Sequence, residues 1–226
     1  MRAPFGALLG LLAALTLSFG LAFSPRFADS WTFWLLIAVP LALAAGWSAL
    51  ELARLGRLRA LLLPRGGDVL MGVVTAFALL AATWLGRTRF AALGTPRQEW
   101  LFSLYLQLGD PNRLEGSLLL SATLVVVAVS QELIYRGYAQ EALSAEFGPR
   151  RGFALSAAAY SLTVFPTLFT LATPHAGPNP LLFLSALLGG VVLGSLRRFT
   201  ERLPPVIVAQ IVFCYFSVLQ FRLPGL

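Results

Sequence analysis

Seven stretches of this chain are apolar enough to cross a lipid bilayer: residues 5–23, 31–52, 69–85, 116–135, 153–173, 181–196 and 204–221. Each is close to the length, about 20 residues, that a hydrocarbon core demands of a helix. Backbone in hydrocarbon has no water to bond, and a helix satisfies its own N–H and C=O groups within one segment. The expectation is therefore an all-α polytopic membrane helix bundle of about seven transmembrane helices, forming one domain over residues 1–226. Composition excludes a soluble globule, with 58% hydrophobic and 12% charged residues where soluble domains average about 45–50% and 25%. Arg2 and the apolar stretch behind it have the outline of a signal peptide, but six further spans favour an uncleaved first helix.

The net charge of +7 comes from 17 basic residues, all arginine, against ten acids. Cations placed in short loops obey the positive-inside rule rather than build a nucleic-acid patch, so no nucleic acid partner is expected. With the N-terminus inside, Arg2, Arg54, Arg57, Arg59, Arg65, Arg150, Arg151, Arg197, Arg198 and Arg202 lie on the cytoplasmic side. Arg26, Arg87, Arg89, Arg97, Arg113 and Arg222 then lie outside. The expected location is a bacterial inner membrane with the N-terminus cytoplasmic and the lipid bilayer as immediate partner. Three of the outer arginines flank a segment in which Trp100, Leu101, Leu104, Tyr105 and Leu108 recur at helical spacing. This predicts an interfacial helix over about 96–108.

One cysteine, Cys214, rules out an intrachain disulfide, and one histidine, His175, rules out a two-histidine metal site or any mechanism that needs two imidazoles. No metal and no cofactor are expected. Gly6 with Gly10 and Gly190 with Gly194 place glycines one turn apart, a spacing that lets helices approach closely.

Ionisable residues at membrane depth are retained where they pair or work. The segment VAVSQELIYRGYAQEAL carries the clearest set. Glu132 and Arg136 stand at i and i+4, the favourable order for an ion pair on one helical face. Gln131 lies about 100° round the helix from Glu132. The pair admits two readings: a self-neutralising structural pair, or a carboxylate facing a hydrated cavity and poised as a general base.

QELIYRGYAQEAL resembles the Glu-Glu-x-x-x-Arg signature, usually followed by Gly, of the CAAX protease and bacteriocin-processing (CPBP) intramembrane proteases. The resemblance covers roughly residues 118–219, the expected CPBP-like core. It implies that the first Glu of the signature activates a water with help from a His in a Phe-x-x-x-His motif on the next helix, while a His-x-x-x-Asn motif on the last helix completes the site. In this chain Gln131 stands at the first Glu, and Glu132 and Arg136 match the second Glu and the Arg. Tyr160 stands at the Phe, Val164 at the first His, Gln210 at the second His and Cys214 at the Asn. A neutral amide does not take a proton from water, and His175 falls in a loop expected on the far side of the membrane from Glu132.

Three functions follow from these residues. The favoured one is a catalytically degenerate CPBP homologue that binds a membrane-anchored peptide or partner protein. The alternative is an active, divergent glutamic endopeptidase with Glu132 as general base and Gln131, Tyr160, Gln210 and Arg136 as donors to the developing oxyanion. The resemblance then implies a prenylated or leader-bearing peptide as substrate. A small transporter ranks third, because the chain shows no inverted repeat and no paired broken helices.

Overall fold

The computed structural model describes residues 5–110 and 116–219. Arg2, Arg113 and Arg222, three of the arginines placed by the orientation argument, lie outside the described residues. Among the described residues there is no strand, only an isolated bridge between Thr173 and Gly177. The chain forms α1 (Phe5–Ala22), α2 (Trp31–Arg54), the short α3 (Leu58–Leu62), α4 (Asp68–Phe90) and α5 (Gln98–Leu108). Then come α6 (Leu118–Phe147), α7 (Pro149–Thr163), the single turn α8 (Thr167–Thr170), α9 (Leu181–Thr200) and α10 (Pro204–Leu219).

Six of these helices are long and apolar enough to cross a membrane, and the segment Pro204–Val218 is a shorter apolar helix. The protein is a multi-pass membrane helix bundle. Two expected span boundaries are corrected. The fourth span does not stop at Tyr135 but continues unbroken to Phe147. The fifth starts earlier, at Pro149, and its α-helix stops at Thr163, resuming for one turn only after Pro166. Proline has no N–H to donate and disfavours helical backbone in the residue before it. The end of the seventh expected span lies outside the described residues.

Helix starts follow local chemistry. Ser30 and Ser117 precede the apolar runs of α2 and α6 and accept from the backbone N–H of Phe33 and Leu120 at 3.3 and 3.2 Å. Such caps satisfy donors that no helical carbonyl can reach. A helix forms within the expected 96–108 segment as α5, with Leu101 buried and packed against Ala91, Phe102, Tyr105 and Leu181.

α6 is the axis of the molecule, contacted by α2 over residues 118–139, by α7 over residues 132–147 and by α10 mainly over residues 118–131. The largest apolar cluster joins α1, α2, α6 and α7 through Leu15, Phe19, Phe33, Leu41, Leu124, Ile134 and Tyr160. α4 packs most extensively on α10. A Cβ at Gly72 would stand 2.7 Å from both the Pro205 carbonyl oxygen and Val208 Cβ, so only glycine allows that approach. α9 meets α7 in the same way, Gly190 lying against Ala157 and Gly194 against the Phe153 ring. The other expected pair is corrected: Gly6 and Gly10 have nothing within reach of a Cβ, because that face of α1 points outward.

The two ends of the bundle differ. At one end Arg57 and Arg197 both meet Glu141, at 3.3 and 2.5 Å, and Arg202 meets Asp68 at 2.9 Å. At the other, α5 is tied to loops by Gln107 donating to Ala22 O at 2.9 Å and Asn179 donating to Trp100 O at 2.8 Å.

Candidate functional site

The polar centre lies where α6 departs from α-helical geometry. Residues Glu132–Ala139 form a π-helical segment within the continuous helix. The wider turn of i→i+5 bonding marks functional sites often enough to focus attention there. Ser156 of α7 donates its hydroxyl to the Tyr135 carbonyl at 2.6 Å, and the Tyr135 hydroxyl donates to Thr163 Oγ1 at 2.8 Å. These two bonds fasten the widened turn to α7. The other α7 hydroxyls behave as helix-satisfied groups, Ser161 donating to Ala157 O and Thr163 to Ala159 O.

Glu132 and Arg136 form an ion pair at 3.1 Å, with side chains 0% and 2% exposed. The Arg136 guanidinium lies 4.2 Å from the centre of the Tyr160 ring, an attractive cation–π arrangement that is stronger when desolvated. Tyr135 also touches Tyr160, with ring centres 4.9 Å apart. A charge pair sealed in this way neutralises itself, which is how a bundle core tolerates ionised groups.

Gln131, next in sequence, turns to a different set of partners. Its Oε1 accepts from Gln210 Nε2 of α10 at 2.7 Å and from the Tyr160 hydroxyl of α7 at 3.3 Å. Gln210 Nε2 also lies 3.4 Å from the Tyr160 oxygen. Three helices therefore meet at one amide carbonyl. Cys214, one turn beyond Gln210, is half-buried.

Of the residues singled out in the sequence, the fold brings Gln131, Glu132, Arg136, Tyr160 and Gln210 together, with Cys214 beside them. Val164 stands apart in character: it is buried in the apolar cluster at the C-terminal cap of α7, and Tyr160 supplies that helix's polar group. His175 is at the α5 end of the molecule, largely exposed, with Nδ1 2.8 Å from Glu99 Oε1. Sequence reading missed Gln140 and Arg197, buried polar residues that continue from the centre toward the arginine-rich end. The i+4 step from Arg136 to Gln140 was the available signal.

Chemically the centre divides in two. The amide–phenol trio is neutral, and the Gln210 amide and the Tyr160 hydroxyl both donate to the Gln131 carbonyl. The ion pair keeps one acceptor and one donor open, since Glu132 Oε2 and Arg136 Nη2 have no hydrogen-bond partner among the described residues. Both the trio and the pair come from the segment whose pattern resembles the CPBP signature. Residues 113–216, somewhat under half of the chain, match the family described as Rce1-like, the type II CAAX prenyl endopeptidase Rce1-like proteins. No curated protein and no solved structure matches the chain significantly. The region that carries the buried polar centre is thus the one that matches the Rce1-like CAAX prenyl endopeptidase family.

Proposed function

We propose that this CPBP homologue is not a protease and that it keeps the bundle and its polar centre to bind a membrane-anchored peptide or partner protein in a bacterial inner membrane. The observation that carries this reading is the closed trio of Gln131, Tyr160 and Gln210. The positions that the family resemblance assigns to the base and to one imidazole hold neutral amides, and these are bonded to each other. General acid–base help is worth about 10²–10⁴-fold, and residues that act as a unit lose most of a site's power together. The N-terminus is placed in the cytoplasm, which the concentration of arginines at the Glu141 end supports.

One observation favours a second reading. Glu132 Oε2 has no hydrogen-bond partner among the described residues, which leaves it a lone pair able to take a proton from a water that reaches it.

The test is cleavage of a library of membrane-anchored peptides by the purified protein in liposomes, with Glu132→Ala and Gln131→Glu as companions. Absence of cleavage by folded wild type and Gln131→Glu protein, together with retention of an anchored peptide, supports the binder. Cleavage that disappears in Glu132→Ala overturns it and makes Glu132 the base.

A further inference from the structure

α4 has two unlike faces. Gly72, Ala76 and Leu79 are buried on the side that packs on α10. Leu70, Val74, Phe77, Ala81 and Trp84 recur at helical spacing on the opposite side and are exposed. The helix has 23 residues, about 34 Å at 1.5 Å per residue, whereas a hydrocarbon core is about 30 Å thick. Its last turn, which carries Arg89 and Phe90, therefore reaches headgroup depth. Trp84 and Phe90 stand there 55% and 59% exposed, as aromatic rings do at a membrane boundary.

A cleft of about 340 Å³ opens beside that turn, lined by Arg89, Phe90, Thr95, Arg97, His175 and Ala176 among others. This is within the range of small-ligand sites, about 300–1,000 Å³. No acidic residue lines it. Among the described residues neither Arg89 nor Arg97 meets a carboxylate. Arg97 lies 5.9 Å from the centre of the Trp100 ring, a cation–π contact that leaves its N–H donors unspent. His175 Nδ1 is held 2.8 Å from Glu99 Oε1, so Nε2 is the remaining polar atom of the ring. Guanidinium forks match the paired oxygens of a phosphate, and the exposed apolar face of α4 matches an acyl chain. A water-soluble anion would use the first feature and leave the second uncovered. We propose that this cleft binds the phosphodiester headgroup of an anionic phospholipid, with the acyl chains laid along the exposed face of α4. The cleft is at the α5 end of the bundle, apart from the buried polar centre, and its ligand does not depend on the function proposed for that centre.

Native mass spectrometry of the full chain, released from nanodiscs that contain phosphatidylglycerol, tests the site. The double variant Arg89→Gln, Arg97→Gln is expected to retain about tenfold less of this lipid than wild type. Arg150→Gln with Arg151→Gln, exposed arginines at the other end of the bundle, is expected to retain the wild-type amount. Equal retention by the two double variants overturns the proposal. All four arginines are exposed, so the lipid-free melting midpoints are expected to match wild type, which separates lost lipid from lost fold. The unaltered protein gives the second measurement, its melting midpoint in detergent with added phosphatidylglycerol, phosphatidylcholine or inorganic phosphate. The largest rise is expected with phosphatidylglycerol. An equal rise with inorganic phosphate would make the cleft a site for soluble anions, and that result, or no rise with phosphatidylglycerol, overturns the lipid assignment. Neither readout uses a peptide, so its failure is separate from failure of the proposed function.

Discussion

Gln210 of α10 donates to Gln131 of α6 across 2.7 Å, joining residues 79 positions apart at the spot where the family resemblance places a base and an imidazole. The bond does two things at once. It docks the last helix on the central one, and it occupies the groups that would otherwise face a substrate.

That dual role makes the pair measurable. Gln210→Leu leaves Gln131 with Tyr160 as its remaining partner, and burying an amide with an unmet bond costs about 1–3 kcal/mol. A double-mutant cycle with Gln131→Leu is expected to return a coupling of about 0.5–3 kcal/mol, read from thermal unfolding in detergent. A coupling near zero would mean that the trio adds nothing to the docking of α10.

Glu132→Gln removes one charge of a pair that is almost wholly enclosed. Leaving Arg136 charged and unpaired is expected to destabilise the protein by about 3–5 kcal/mol. The result would be low yield and a lowered melting midpoint. Replacing both residues, Glu132→Gln with Arg136→Met, is expected to recover much of the loss. Normal stability of the single variant would remove the structural role assigned to the pair.

Gly72 is the contact point of α4 with α10. Gly72→Ala places a methyl carbon 2.7 Å from a backbone oxygen and a side-chain carbon. Overpacking of this kind costs about 1–3 kcal/mol. The same replacement at Gly6 meets nothing, and its melting midpoint is expected to stay at the wild-type value or rise slightly, as alanine favours helix over glycine.

The arginine-rich end is expected to face the cytoplasm. Single cysteines at Arg57 and Arg198, in a Cys214→Ala background, should react with a membrane-impermeant maleimide only after the membrane is opened. Labelling of intact cells from outside would reverse the orientation.

Residue order alone determined the membrane bundle, the helix at α5 and the Glu132–Arg136 pairing. The reason is that hydropathy and i, i+4 spacing are local properties, expressed by a single helix before it meets another. It also determined, by composition, that a two-histidine mechanism is beyond a chain with one histidine. Tertiary structure decided the rest. Whether Gln131 faces Gln210, whether Tyr160 covers Arg136, and whether Gln140 reaches Gly194 depend on how α6, α7, α9 and α10 rotate against each other. That rotation is set by close contacts such as Gly72 against Pro205 and Gly190 against Ala157. The π-helical turn at Glu132–Ala139 belongs to the same class, since it is held by Ser156 and Thr163 from a different helix.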